Sequence, residues 1–164
     1  MSQKHGDYDP NELRDPDSPE PQFRLTQWIA RAPFEELCEL EIVGAANGEA
    51  VLRMPFKVKH AQGGGLLHGG ALTTLADTAV AMAIKSKVPE GTRFATIDLT
   101  TRFLAPVRCG TVEARARISR WEGRDIEGEA RVTDEAGQVV AEFISRFRLA
   151  REDAERLQPK PRGE

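Results

Sequence analysis

One carboxylate, Asp77, interrupts the most apolar stretch of the chain, GGGLLHGGALTTLADTAVAMAI, which runs from Gly63 to Ile84. An acid among small and aliphatic residues either faces a protein-lined site or bears a large desolvation cost. The same stretch opens on glycines and on His68-Gly69-Gly70. A helix that starts at such a turn offers unpaired backbone N–H groups to negative charge, at the positive end of its dipole. A carboxylate and an anion-friendly amide together suit chemistry on a carbonyl. The Gly69 amide would polarise a thioester or ester carbonyl. Asp77 would attack that carbonyl or activate a water, and the residues leave both routes open. Gln62, in the approach loop, offers a side-chain amide as a second donor or to orient water. Thr96, at the start of the next strand, offers a hydroxyl that could assist water.

Spacing constrains how these groups can meet. Gly69 and Asp77 are eight residues apart, about 12 Å along one helix. A base or nucleophile and an oxyanion donor must both lie within about 3 Å of the reacting group. One helix cannot supply both, so if both act on one carbonyl they come from different subunits.

The elements that must position them follow from the pattern. Residues 69–86 form a helix that is apolar almost all round, through Leu72, Leu75, Ala76, Ala79, Val80, Ala83 and Ile84. A helix without a polar stripe is buried on most sides. One sheet face covers only one side, which leaves the other for a second copy of the chain. Before it, Phe23, Trp28, Ile29, Phe34 and Leu37 fall at helical spacings, with Pro33 as a break. Leu40, Ile42, the Asn47-Gly48 turn, then Val51, Met54 and Phe56 read as a hairpin. Four further strands alternate with period two. Thr96–Pro106 places Ile97, Leu99, Thr101 and Phe103 on one face. In the last three strands, Arg115, Arg117, Arg131 and Arg146 alternate with Glu113, Glu127, Glu129 and Glu142 on a solvated face. Short turns at Cys109-Gly110, Glu122-Gly123 and Glu135–Gly137 join the four as a meander. The fold class is α+β: an antiparallel sheet with one long central helix inserted after its second strand.

Composition narrows the class. The 164 residues are 30% charged with a net charge of −3, which gives no general attraction to nucleic acid. No apolar run is long enough for a transmembrane helix, so no membrane partner is expected. Residues 1–22 hold eight charges and four prolines and read as a disordered acidic segment, neither secretory signal nor transit peptide. Residues 23–149 form the folded domain, and 150–164 a charged tail or frayed helix. Cys38 and Cys109 lack CxxC spacing and read as reduced core thiols of a cytoplasmic protein. His60 and His68 have no third ligand at useful spacing, so no metal is expected. Gly63-Gly64-Gly65 lacks the Lys-Ser/Thr of a phosphate loop. The bland alternative for Asp77 is a buried acid satisfied by backbone or by Thr73 or Thr74. For His68 it is a structural residue at the helix start.

The pattern Gln62-(x5)-His68-Gly69-Gly70-(x6)-Asp77 resembles the hotdog-fold thioesterases, in particular the phenylacetate-pathway (PaaI-like) group. The likeness extends to PFEELCELEIVGAANGEAVLRMP before the helix and ATIDLTTRFLAPVRCGTVEARARI after it, over about residues 33–149. It implies hydrolysis of an acyl-CoA thioester to a carboxylic acid and free CoA. It implies no metal or redox cofactor, and an assembly of hotdog dimers usually paired into tetramers. By this resemblance Gly69 is the oxyanion donor, and Asp77 of the opposite subunit is nucleophile or base. Gln62 is the loop amide, and Thr96 fills a position that holds serine or threonine in several relatives. His68 and Gly70 belong to the substrate-binding turn, and Arg102 and Arg108 are candidates for the CoA phosphates. Thr78 and Ala81 do not repeat every polar residue of aryl-CoA members. The alternative is a non-catalytic hotdog module that binds acyl-CoA. A hydratase is weaker, because His68 precedes Asp77 and lies outside the helix body.

Overall fold

The computed structural model describes residues 8–19 and 22–157. The expectations for residues 1–7, 20–21 and 158–164 lie outside the described residues. The chain runs α1 (Pro33–Leu37), β1 (Glu41–Ala46), β2 (Glu49–Pro55), a 3-10 turn (Val58–His60), α2 (Gly69–Lys85), β3 (Phe94–Phe103), β4 (Thr111–Glu122), β5 (Asp125–Thr133), β6 (Val139–Leu149) and α3 (Arg151–Leu157). All strand pairs are antiparallel, in one sheet of order β1-β2-β4-β5-β6-β3. The sheet carries α2 on one face, the architecture expected above.

The β1–β2 hairpin turns at Asn47 and Gly48, with φ of 54° and 83°. This is the left-handed pair that matches strand twist. The turn is fixed to the end of α2 by a 2.8 Å bond from Gly48 N–H to Ser86 Oγ. Along β2 the buried residues are Ala50, Leu52 and Met54. Val51 therefore lies on the outer face, one residue out of the expected phase. On β4 and β5 the inward sets Val112, Ala114, Ala116 and Ile126, Ala130, Val132 are buried as alternation predicts. Their outer faces carry cross-strand ion pairs, among them Arg53–Glu113 at 2.8 Å and Arg131–Glu142 at 3.7 Å. Gly128 marks the closest approach of helix to sheet, since a Cβ there would lie 2.3 Å from Val80 Cγ1.

Three expectations need correction. First, β4, β5 and β6 form a meander, but β3 pairs with β6 at the far edge. The flank of β4 that β3 would need is taken by β2. Second, residues 23–32 are not helical. Helix α1 begins at Pro33, where a missing N–H costs nothing and the preceding residue is held extended. Glu35 Oε2 accepts from Ala32 N–H at 2.7 Å and closes that first turn. The N-terminal segment also reaches the C-terminal end of α2. Trp28 Nε1–H donates to Lys85 O at 2.9 Å, Lys85 Nζ donates to Trp28 O at 3.0 Å, and the ammonium sits 4.7 Å from the indole centroid. Ala30 is buried beside them. Third, Cys109 is exposed in the turn before β4 and is not a core thiol, whereas Cys38, half-buried at the end of α1, packs against the core.

Strand β3 departs from simple alternation in a way that matters to the site. Thr96 pairs with Phe147 and Asp98 with Arg146, so Ile97 is an extra residue in a β-bulge. Beyond it, Leu99, Thr101 and Phe103 face inward opposite Ser145, Phe143 and Ala141. The bulge adds Thr96 to that inward set and removes Ile97 from it.

Candidate active site

Helix α2 begins where the sequence suggested and is capped by an unusual residue. His68, extended at φ −64° and ψ 133°, accepts the Gly70 N–H on Nδ1 at 2.8 Å. Its carbonyl accepts from Ala71 and Leu72 at 2.9 and 3.2 Å. Among the described residues, the Gly69 N–H has no acceptor. It is the open donor at the positive end of a 17-residue helix. The Phe103 ring lies over this glycine, for a Cβ at position 69 would be 3.0 Å from Phe103 Cζ.

Asp77 is half-buried two turns further along, where α2 passes β3. Thr96 Oγ1 donates to it, at 3.1 Å from Oδ1 and 3.2 Å from Oδ2. One proton faces both oxygens, so this is a single shared bond. The alternative partners are engaged elsewhere: Thr73 Oγ1 meets Thr101 Oγ1 at 2.9 Å, and Thr74 Oγ1 donates to Gly70 O at 2.9 Å. Burial pushes the Asp77 carboxyl above its ordinary value; the Thr96 bond pulls it down, and the negative charge of Glu35 pushes it up again. Glu35 comes from α1, so the N-terminal segment contributes to the electrostatics of the helix it reaches. Burial also lowers the Lys85 ammonium, against the opposing pull of Glu35.

The contacts Gly69–Phe103, Thr73–Thr101 and Asp77–Thr96 occur in that order along α2 and in reverse along β3. Helix and strand therefore run antiparallel, with Gly69 near one end of β3 and Asp77 near the other. A single chain brings Asp77 to Thr96 but holds Gly69 and Asp77 about two turns apart.

The remaining expected residues are more scattered. Gln62 folds back into its own loop, where Oε1 accepts the Gly64 N–H and the backbone N–H reaches Leu66 O at 2.8 Å. Gly63–Gly65 present no side chains to hold that amide outward. Arg102 is exposed, 4.0 Å from Glu142 across the strand, and Arg108 is exposed in the connection to β4. Sequence reasoning missed Phe103 as a neighbour of Gly69. Its alternation within β3 marked it as inward, which is the signal that could have found it. A cavity of about 610 Å³ on the outer sheet face, lined by Arg115, Arg117, Arg131, Glu129 and Ile144 among others, contains none of these residues. Among the described residues no group of three or more His, Cys, Asp or Glu could hold a metal. Nor is any described helix long and apolar enough to cross a membrane.

Comparison with known proteins places this geometry. Residues 64–141 match the thioesterase superfamily model. The phenylacetic acid degradation protein PaaI of Thermus thermophilus is 30% identical, with a TM-score of 0.66 over 71% of this chain and 98% of that one. The chain belongs to the thioesterase superfamily. A second Thermus thermophilus structure is 31% identical with a TM-score of 0.66, covering 73% of this superfamily member and 98% of its own length. A conserved protein of Pseudomonas aeruginosa reaches a TM-score of 0.72 at 26% identity, over 77% of this chain and all of that one. A candidate esterase of Halobacterium salinarum is 38% identical over 86 residues. That match spans 49% of the present superfamily member and only 56% of the halobacterial protein. The sheet wrapped on one long helix is the hotdog fold of this superfamily.

Proposed function

We propose that the protein hydrolyses an acyl-CoA thioester to a carboxylic acid and free CoA, in a site shared by two copies of the chain. The observation that carries the reading is the antiparallel course of α2 and β3, with an acid at one end and an open amide at the other. Strand β3 is a sheet edge. Its Ile97, Leu99 and Phe103, with the adjoining Leu104, are each at least 41% exposed. An apolar, unpaired edge is suited to pairing with another strand. A two-fold copy pairing β3 antiparallel to β3 brings the Thr96 end of one chain against the Phe103 end of the other. Asp77 of one copy then approaches Gly69 of its partner, twice per dimer.

In this reading the thioester carbonyl oxygen takes the Gly69 N–H, which strengthens as charge develops on it. Asp77 acts as general base: burial raises its affinity for a proton, and Thr96 keeps the carboxylate oriented. Water loses a proton to Asp77 and its oxygen bonds to the carbonyl carbon. Collapse of the tetrahedral adduct breaks the carbon–sulfur bond, and the proton on Asp77 passes to the leaving thiolate. No resident cofactor enters the step; CoA is part of the substrate. Arg102 and Arg108, both exposed, are available to its phosphates, and pairs of dimers complete the expected assembly.

Free-thiol release from a panel of acyl-CoAs, with wild type and Asp77→Ala side by side, tests the activity. Mixing Asp77→Ala with Gly69→Pro chains tests the sharing. Random exchange makes half the dimers mixed, each with one intact site, so about a quarter of wild-type activity returns. No recovery in confirmed heterodimers overturns the shared site. Acyl-CoA binding without turnover replaces hydrolysis with a binding role.

A further inference from the structure

His60 lies in the 3-10 turn between β2 and α2 and is only 6% exposed. Its Nδ1 is 2.8 Å from Pro55 O, which can only accept, so the proton sits on Nδ1. Lys57 N is 3.3 Å from the same nitrogen, but a protonated Nδ1 accepts nothing, and that N–H is served by Pro55 O at 3.2 Å. The backbone of His60 donates to Lys57 O at 2.8 Å and accepts the His68 N–H at 2.8 Å. One buried residue thus ties the end of β2 to the residue that caps α2.

The consequence falls on Gly69. Its N–H and the His68 carbonyl share one peptide plane and point in opposite directions. The carbonyl is drawn into the helix by Ala71 and Leu72. The plane is therefore aimed by how His68 is held, and His60 holds the other side of His68. The Nε2 of His60 is buried with no partner, a net cost to folding. An apolar side chain would avoid that cost, so burial alone does not explain an imidazole here. The Nδ1–H bond that fixes the turn does.

We propose that His60 is a positioning residue for the oxyanion donor Gly69, acting through the His68 backbone. The proposal rests on the thioesterase reading above. The test uses the full chain as His60→Leu and His60→Asn, since the asparagine amide reproduces the short donor to Pro55 O. Steady-state acyl-CoA hydrolysis, thermal midpoints and amide hydrogen exchange at His68 are measured together. A misaimed donor weakens binding only in the transition state. His60→Leu is therefore expected to lower kcat by about 10- to 100-fold with KM almost unchanged. Exchange at the His68 amide should quicken by about tenfold or more. His60→Asn should restore both. Equal losses in the two variants, or a kcat loss that only tracks the thermal midpoint, would reduce His60 to a packing residue and overturn the proposal. If the wild type hydrolyses no thioester, the functional reading fails on its own. The exchange measurement still decides the positioning: His68 exchange unchanged in His60→Leu overturns it, and quickened exchange reversed by His60→Asn supports it.

Discussion

Replacing Asp77 by Asn should inactivate the protein and make it more stable. The amide has the size of the carboxylate and its oxygen still accepts the Thr96 hydroxyl, 3.1 Å from Oδ1 in the wild type. Only the charge is lost. Burial raises the Asp77 carboxyl above its ordinary value. As pH rises from there to the elevated folded value, the unfolded chain gives up its proton first. Stability therefore falls across that window and stays reduced above it. An ionised group in a half-buried site with one shared hydrogen bond carries a penalty of about 1–2 kcal/mol on the scale of buried polar groups in mutated proteins. At about 2–4 °C per kcal/mol for a chain of this size, Asp77→Asn should raise Tm by about 2–8 °C at pH 8. The gain should vanish near pH 3, where both side chains are neutral. Loss of a general base should lower kcat by about 10²- to 10⁴-fold. Scanning calorimetry across pH at fixed protein concentration, beside the thiol-release assay, measures both. A variant no more stable than wild type at pH 8, or a gain that persists at pH 3, would refute the argument that Asp77 is held charged against its surroundings.

Thr96→Val removes the one bond that favours the Asp77 carboxylate, so the acidic limb of the pH–rate profile should move to higher pH; an unmoved limb would separate Thr96 from the reacting acid. Gly69→Ala keeps the N–H but sets a methyl 3.0 Å from Phe103 Cζ. Its activity should fall and be recovered in part by Phe103→Ala, whereas Gly69→Pro, which lacks the donor, should not respond to that second change. Gly128→Ala would place a methyl 2.3 Å from Val80 Cγ1, an overpacking that should cost about 1–3 kcal/mol in urea titration and be relieved by Val80→Ala.

Much of this geometry was legible because it is local. The span of α2 follows from an apolar run with a glycine turn before it, and the hairpin from Asn47-Gly48. The inward sets of β4 and β5 follow from charge alternation on their other faces. The acid and the open amide were legible for the same reason, since a lone Asp and a helix start are visible in one dimension. What the sequence withheld depends on pairing at a distance. Nothing local says that β3 crosses to β6, because that choice is made by β2 occupying the flank of β4. Trp28 and Ile29 instead lie in a non-helical segment packed against the core, where Trp28 finds Lys85. Gln62 was expected in the site because of its place before the helix, yet three glycines leave its side chain free to fold onto Gly64. His60 carries no signal at all, since its bonds run to Pro55 and His68.

The bulge at Ile97 gives β3 one residue more than β6 opposes, while Thr96 still faces Asp77. Substitution at Ile97 changes a side chain outside the inward row and leaves the phase of β3 intact. Deleting Ile97 would remove that extra residue and straighten the strand, with Thr96 still opposite Phe147 and Asp98 still opposite Arg146. A library built from point substitutions would find this position tolerant. A library of single deletions would find it tolerant as well, unlike its in-register neighbours in β3, and that shared tolerance would locate the bulge without a structure.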